Sequence, residues 1–344
     1  MIRFGLLYDF RNPARWRVPN ARLYAQTLEQ IVFAEQLGYD SVWISEHHFV
    51  EDGYTPSVLA LAAHVAARTA RVRIGTSVLL LPFHDPLRVA EDANTVDVLS
   101  GGRLDLGIGL GYRAEEFEAF GFPRRQRPSR FEEHLAILRR ALSGEPFTFA
   151  GRYRRIERPI AVTPRGVQQP SVAIWCAASS IVAAQRAARE RLNLTIRGGT
   201  DVYNAWAEGL RAQGEDASQF QCVTRRSYYV TDDPERAWSE IGPHVRYQTE
   251  AYAEWGAAGQ RETVEPEAEG DRRARQTWMI GDPEAVAAMI REYHRRLPFT
   301  QLIGFGVPPG LPPERMNAAL ERFAREVMPR LRDLDATPAA QPRS

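Results

Sequence analysis

Short apolar runs alternate along the chain with longer segments whose apolar positions recur at helical spacing. Eight runs have the length and composition of buried strands, at residues 2–8, 41–45, 72–81, 103–109, 172–177, 194–196, 223–230 and 302–307. Strands that are apolar on both faces and separated by helices are typical of parallel sheets. Eight such units favour an α/β fold of the (β/α)8 TIM-barrel type, with a closed sheet, over an open doubly wound sheet.

The segments between these strands predict helices at 23–37, 57–68, 86–99, 130–142, 181–191, 202–213 and 313–331. Two more begin after Asp233 and Asp282, where Asp-Pro-Glu supplies a cap oxygen and a proline suited to the first turn. Ser129 and Glu132 have the spacing of a capping box and predict the start of the 130–142 helix.

Two segments interrupt this alternation. Residues 144–169 are rich in arginine and proline and predict a β-hairpin excursion around Tyr153, whereas residues 256–275 are polar and charged and predict an insertion before the last βα unit. The tail at 336–344 has the composition of a disordered end. We therefore expect one barrel domain over residues 1–335 with two insertions.

Composition narrows the class of protein. Of 344 residues, 44% are hydrophobic and 25% charged, and the net charge of +1 gives no basic field for nucleic acid. All 44 basic residues are arginines. No stretch approaches the roughly 18 apolar residues of a membrane helix. The only two cysteines, Cys176 and Cys222, form no CxxC pair, and the N-terminal segment lacks a cleavage site, so we expect a cytoplasmic protein.

Glu46, His47 and His48 follow the second predicted strand, at the carboxyl end of the barrel, where such folds have their active sites. Imidazole titrates near neutrality and can act as an acid or base, and one of the two histidines should face the barrel axis. Both could equally be polar loop residues. The trio could also ligate zinc, but only His84 among the remaining histidines falls in a suitable loop, so the sequence favours a site without a metal.

Alternating glycines close the fourth strand, with Gly107, Gly109 and Gly111 followed by Tyr112. Residues without side chains let a flat ring or a phosphate approach the backbone. Ordinary turn glycines would give the same pattern, so the motif alone does not decide.

The end of the fifth strand runs through Ala178, Ser179 and Ser180 into a helix. Backbone amides and hydroxyls at a helix N-terminus can bind an anion, although capping explains one serine equally well. Arg130, at the start of another helix, could neutralise the same anion or lie in solvent.

These motifs occur in an order that resembles the luciferase-like flavin monooxygenases. The segments are EHHF at 46–49, GTSVLLLPFHDPLRVAED at 75–92, SGGRLDLGIGLGYRAEEFEAFG at 100–121, GDPEAV at 281–286 and EVMPRLR at 326–332. The resemblance spans nearly the whole chain and is strongest in the first 130 residues. It implies a TIM barrel that binds FMN at its carboxyl end, as reduced flavin from a separate reductase.

The resemblance also assigns roles. It makes His47 the catalytic histidine, and Ser77 and Val78 a non-prolyl cis peptide behind the isoalloxazine ring. The cofactor residues that it implies nearby are Gly109, Gly111 and Tyr112 beside the flavin, and Arg130, Ala178, Ser179 and Ser180 around its phosphate.

The chain also departs from the family pattern. Gly109 and Leu110 stand where luciferase has a reactive cysteine and a phosphate-binding arginine, so light emission is not expected. Arg113 could replace the missing phosphate contact.

The expected function is oxidation of a small organic substrate by reduced FMN and O2, through a C4a-(hydro)peroxyflavin. His47 would be the general base or proton donor, and the family implies a homodimer. Three alternatives remain open: an F420-dependent oxidoreductase that transfers hydride on the same fold, a non-catalytic flavin-binding partner subunit, and a metal hydrolase.

Overall fold

The computed structural model describes residues 1–257, 271–272 and 274–334. In chain order its strands are β1 (Arg3–Tyr8), β2 (Ser41–Ile44), β3 (Arg73–Thr76), β4 (Leu79–Leu80), β5 (Leu104–Gly109), β6 (Phe147–Ala150), β7 (Arg155–Ile160), β8 (Ala173–Ala178), β9 (Asn193–Ile196), β10 (Cys222–Arg225), β11 (Ser227–Val230), β12 (Trp278–Gly281) and β13 (Gln301–Phe305).

The helices in the same part of the chain are α1 (Asn20–Leu37), α2 (Val58–Arg68), α3 (Pro86–Ser100), α4 (Ala114–Ala119), α5 (Arg127–Leu142), α6 (Ile181–Arg189), α7 (Thr200–Arg211), α8 (Pro234–Ala257), α9 (Pro283–Arg296) and α10 (Glu314–Arg322). After α10 the chain continues through a π-helical turn and a 3-10 turn to Leu331. Across the described helices, no segment has both the length and the apolarity to cross a bilayer.

Eight parallel strands form a closed barrel in the order β3-β2-β1-β13-β10-β9-β8-β5. Pairing of β3 with β5, through Ile74 with Leu104 and Gly75 with Asp105, closes the ring. Every residue of β2, β5 and β13 is buried, because one face of each strand fills the barrel and the other packs under helices. The predicted (β/α)8 barrel is confirmed, and each of the eight predicted strands contributes to it.

Two predicted strands are interrupted, so their prediction as single strands was wrong. The run at 72–81 ends as β3 at Thr76 and resumes as β4 at Leu79, with a cis peptide between Ser77 and Val78. The run at 223–230 leaves the barrel after Arg225, and β11 pairs instead with β12 outside it. The sequence does not reveal these breaks because apolar residues continue across both of them.

The predicted start of the 130–142 helix was also wrong. Helix α5 begins at Arg127 with Pro128 in its first turn, where a missing N–H costs nothing, and the Ser129 hydroxyl donates to the carbonyl of Gln126 instead of capping the helix. The caps at Asp233 and Asp282 are confirmed, since their carboxylates accept from backbone N–H groups of the following turn.

The predicted hairpin is confirmed, since β6 and β7 pair antiparallel and Tyr153 lies in the turn between them. Most of the predicted insertion at 256–275 lies outside the described residues, and so does the tail at 336–344. Helix α4 was not predicted at all.

Large aromatic side chains pack inside the barrel where a neighbouring strand has a small residue. Trp43 and Trp175 meet edge to face with ring centroids 5.3 Å apart, and Gly75 leaves room for Trp43, since a side chain at Gly75 would overlap the indole. Cys176 on β8 and Cys222 on β10 are free thiols buried in the wall, and burial raises the pKa of both.

Candidate active site

A cavity of about 590 Å³ opens at the carboxyl ends of the barrel strands. Its volume is in the range of small-molecule sites. Nine of the ten residues that the sequence assigned to a site line it: His47, Ser77, Val78, Gly109, Gly111, Tyr112, Ala178, Ser179 and Ser180. The exception is Arg130.

His47 is the cavity's buried imidazole, 5% exposed. Its Nδ1 lies 2.9 Å from Oε1 of Glu116, a residue of α4, and the same oxygen accepts the backbone N–H of His48. Because a carboxylate accepts hydrogen bonds, Nδ1 carries the proton of the neutral ring. Nε2 is then the atom with the lone pair, and it accepts a long hydrogen bond of 3.4 Å from the Tyr112 hydroxyl.

The surroundings keep this imidazole neutral. Burial lowers the pKa of His47, and the positive charges of Arg113 and Arg197 lower it further, whereas Glu116 opposes them; the net shift is downward. The rings of Tyr54, Tyr112 and Trp255 surround it at centroid distances of 4.9, 5.3 and 5.0 Å. A neutral, shielded imidazole can accept a proton at ordinary pH.

His48 belongs to a separate hydrogen-bonded cluster. Oε1 of Glu46 lies 2.8 Å from Nε2 of both His48 and His84. Burial raises the pKa of Glu46, but the two imidazoles outweigh this and hold it below its usual value. These three side chains could also ligate a metal, since their donor atoms lie within 4.8 Å of one another. From the sequence, His84 was identified only as the one further histidine in a loop where a metal ligand could lie.

Small side chains form one wall of the cavity, where the Ser77–Val78 cis peptide faces the end of β5. A Cβ at Gly109 would come within 2.5 Å of Cγ2 of Val78 and 3.6 Å of Cβ of Ala177. Any side chain at position 109 would therefore fill space against this wall. The cis bond is the one that the family resemblance predicts, and the wall suits a flat ring.

The same cavity also has donors for an anion. Ser179 and Ser180 are exposed at the N-terminus of α6, and Oγ of Ser180 caps that helix by accepting from Ala183. Arg127 and Arg186 line the same cavity; Arg186 forms an ion pair with Glu132 at 3.2 Å. Two guanidinium groups and a helix N-terminus together form a suitable phosphate site.

Arg130 and Arg113 lie elsewhere. The guanidinium of Arg130 is held between the rings of Phe122 and Tyr153, 4.3 and 4.4 Å from their centroids, and does not line the cavity. Arg113 donates to the carbonyl of His48 and so does not replace a phosphate contact. Arg127 lines the cavity instead because α5 begins one turn earlier than predicted.

The sequence alone identified neither Glu116, the partner of His47, nor the cavity residues Arg127 and Arg186. Several other cavity residues were missed as well. They are Tyr54, Tyr252, Arg197 and Arg225. The hydroxyl of Tyr54 hydrogen-bonds to Ser45 at 2.6 Å and to Tyr252 at 2.8 Å. Arg197 and Arg225 stand at strand ends, a position that could have identified them, whereas nothing local indicates the distant Tyr252.

The fold and the cavity together define a class: TIM-barrel proteins with a cavity at the carboxyl ends of the strands and a buried imidazole in its lining. Comparison with known proteins gives the family. The family model described as luciferase-like monooxygenase matches residues 2–298, so the chain belongs to that family.

Relatives within this family differ in their named activities. An uncharacterized protein, y4vJ of Sinorhizobium fredii, is 39% identical over 52% of this chain, and the match spans only about half of that relative. An F420-dependent glucose-6-phosphate dehydrogenase of Kineococcus radiotolerans is 31% identical over 88% of this chain and 91% of its own. The oxygenase component of the flavin-dependent trigonelline monooxygenase of Acinetobacter baylyi is 26% identical over 90% of both chains.

A solved structure supports the fold. The monooxygenase RslO1 of Streptomyces bottropensis superposes with a TM-score of 0.85 over 96% of this chain and 99% of its own, at 24% identity. At that identity the likeness concerns the architecture alone.

Proposed function

We propose that the protein is a monooxygenase that uses reduced FMN and O2 to oxidise a small organic substrate. One observation carries the proposal: a neutral imidazole, a wall without bulky side chains and an anion site line the same cavity. A separate reductase would supply the reduced flavin, as the words "oxygenase component" indicate for the trigonelline enzyme. Dimer formation remains a prediction from the family.

The residues of the cavity fit the cofactor. Val78, Gly109 and Ala177 would hold the ring, while the amides at Ser179 and Ser180 with the two arginines, Arg127 and Arg186, would hold the phosphate. Reduced FMN, when bound, supplies the electrons that activate O2.

The protein's own contribution to the chemistry centres on His47. Nε2 of His47 can accept a proton in the cavity, while Glu116 fixes the orientation of the ring by accepting the hydrogen bond from Nδ1–H. The hydroxyls of Tyr54 and Tyr252 form a hydrogen-bonded pair that can orient a polar group of the substrate. The aromatic rings around His47 exclude water from the reacting region.

Anaerobic titration of the purified chain with reduced FMN and with F420 tests the proposal, followed by mixing of each complex with O2. We expect saturable binding of reduced FMN and rapid oxygen consumption by that complex. Tight binding of F420 with no oxygen consumption would contradict the proposal. Binding of FMN without substrate oxidation would favour a non-catalytic flavin-binding subunit.

An F420-dependent oxidoreductase is the second candidate, because the F420-dependent relative matches 88% of this chain, against 90% for the monooxygenase, and at higher identity. In that reaction His47 would again exchange the proton, while hydride transfer would need no O2.

A further inference from the structure

Two arginines line the cavity on the wall formed by β9 and β10. Arg197 directly follows β9, and its backbone N–H donates to the carbonyl of Ala178 at 2.9 Å; Arg225 is the last residue of β10. In the strand order of the barrel, β9 lies four places from β2, and His47 lies three residues beyond the end of β2. Arg197 therefore stands across the cavity from the catalytic histidine.

Neither arginine has an acidic partner among the described residues. By contrast, Arg186 in the same cavity pairs with Glu132, and the buried Arg11 pairs with Asp52 at 2.6 Å. The surroundings of the pair are aromatic: both guanidinium groups lie over the ring of Tyr252, at 5.5 and 5.8 Å, and that of Arg225 also lies 5.0 Å from the ring of Phe305. Such contacts orient a guanidinium without neutralising it.

The two charges are close enough to affect each other and His47. Burial lowers the pKa of Arg225, and the charge of Arg197 lowers it further. Arg197 likewise lowers the pKa of His47. Because neighbouring like charges repel each other, an anion that bound to both guanidinium groups would relieve this repulsion.

The proposed phosphate site has donors without these two arginines. They lie at the junction of β8 and α6, where Ser179, Ser180, Arg127 and Arg186 would provide amides and two positive charges. Arg197 and Arg225 are thus additional to what one phosphate needs, and they face the region where the imidazole of His47 and the hydroxyls of Tyr54 and Tyr252 are available to a substrate.

We propose that Arg197 and Arg225 bind an acidic group of the substrate, so that the substrate class is small organic acids that carry a carboxylate or a sulfonate. Guanidinium groups bind both by paired charge-assisted hydrogen bonds. This inference rests on the proposed function, since it takes the β8–α6 part of the same cavity to hold the cofactor.

The test compares acids with their neutral counterparts in the full-length protein at saturating FMN, so that the phosphate site is filled. The probes are acetate, benzoate and benzenesulfonate against acetamide, benzamide and benzenesulfonamide, with dissociation constants from calorimetry. We expect at least one acid to bind about tenfold or more tightly than its neutral partner. Whether the carboxylate or the sulfonate shows this preference distinguishes the two classes.

Variants assign the preference to the two arginines. Arg197→Gln, at an exposed position, and Arg225→Gln should each weaken binding of the acid about tenfold while leaving the neutral partner unchanged. Arg225→Lys keeps a positive charge and should retain part of the preference. The matched control is Arg226→Gln, because Arg226 follows directly in the chain, contacts Tyr293 and does not line the cavity.

Equal affinity of acids and neutral partners in every pair would overturn the inference. So would variants at Arg197 and Arg225 that weaken FMN binding and leave the acid unaffected, because the arginines would then serve the cofactor. A failure of the proposed function is a different result: FMN does not bind, while the preference for acids, measured without FMN, persists and still depends on Arg197 and Arg225.

Discussion

Glu116 positions His47, the proposed catalytic histidine, through a single oxygen atom. That oxygen receives the Nδ1–H of His47 and the backbone N–H of His48, and Arg113 lies 3.6 Å from it. The carboxyl group is completely buried, so its orientation is set by these partners. Glu116 is thus a positioning residue that fixes the tautomer of His47 and leaves Nε2 available in the cavity.

The titration of His47 should reveal this interaction directly. The negative charge of Glu116 raises the pKa of His47 against the opposing effects of burial, Arg113 and Arg197. Glu116→Gln removes that charge, so the NMR titration midpoint of the His47 ring should move to lower pH. The control is Glu118→Gln, an exposed position on the same helix, which should leave it unchanged. A midpoint that stays in place or rises in Glu116→Gln would show that the carboxylate does not act on the imidazole.

The proposed phosphate site gives a second prediction at the scale of one residue. Arg127→Gln should weaken binding of FMN about tenfold or more and leave riboflavin, which lacks the phosphate, nearly unaffected. Arg130→Gln is the matched comparison, one turn along the same helix, with its guanidinium between Phe122 and Tyr153. Fluorescence titration measures both ligands. Loss of FMN selectivity in Arg130→Gln alone would restore the role that the sequence gave to Arg130.

At the scale of elements, one carboxylate attaches the β6–β7 hairpin to α5. Glu133 accepts the backbone N–H groups of Arg152, Tyr153 and Arg154, at 2.7, 2.8 and 2.6 Å. The tyrosine hydroxyl also hydrogen-bonds to Ser129 at 2.8 Å. Since Tyr153 packs on Arg130, this attachment connects the hairpin to the helix that also carries Arg127.

Removal of that carboxylate should loosen the hairpin and little else. Glu133→Ala leaves three turn amides without their acceptor, and we expect local opening of residues 147–160 to become easier by about 1–2 kcal/mol. Hydrogen exchange with mass spectrometry measures this directly. Glu157→Ala, exposed on β7, is the control. Equal protection of the hairpin in both variants would mean that strand pairing alone holds it.

Elements were predicted well where their signal is local. Apolar runs identify every barrel strand, and Asp233 and Asp282 identify two helix starts, because a cap and a buried strand are properties of neighbouring residues. The family resemblance predicted the cis peptide at Ser77–Val78, but the apolar run did not show that β3 ends there. The early start of α5 was missed although Pro128 is a local signal for a first turn. His47 was predicted from its place at a strand end, whereas Glu116 joins it only when α4, seventy residues later in the chain, folds over the barrel.

For the whole molecule, the barrel closes where β3 and β4 pair with β5. β3 pairs with β5 over two residue pairs and β4 over two more, and Arg73 on β3 donates two hydrogen bonds of 2.7 Å to the carboxylate of Asp105 on β5. Asp105 is buried and Arg73 partly so. This ion pair therefore reinforces the strand pairing that turns a sheet into a cylinder.

Asp105→Asn should lower the free energy of unfolding by about 2–3 kcal/mol, because it leaves a partly buried guanidinium without its partner. Urea denaturation measures the change. Asp92→Asn breaks an exposed ion pair with Arg88 and should have an effect below about 1 kcal/mol. Similar losses in the two variants would show that the pair contributes nothing special to closure.

The buried thiols of β8 and β10 have a practical consequence. Because burial raises the pKa of Cys176 and Cys222, an alkylating reagent meets a protonated, enclosed sulfur as long as the cylinder is intact. Their rate of modification should therefore report how often neighbouring barrel strands separate and expose the thiols. A cysteine introduced at the rim could then carry a dye without any need to remove the native pair.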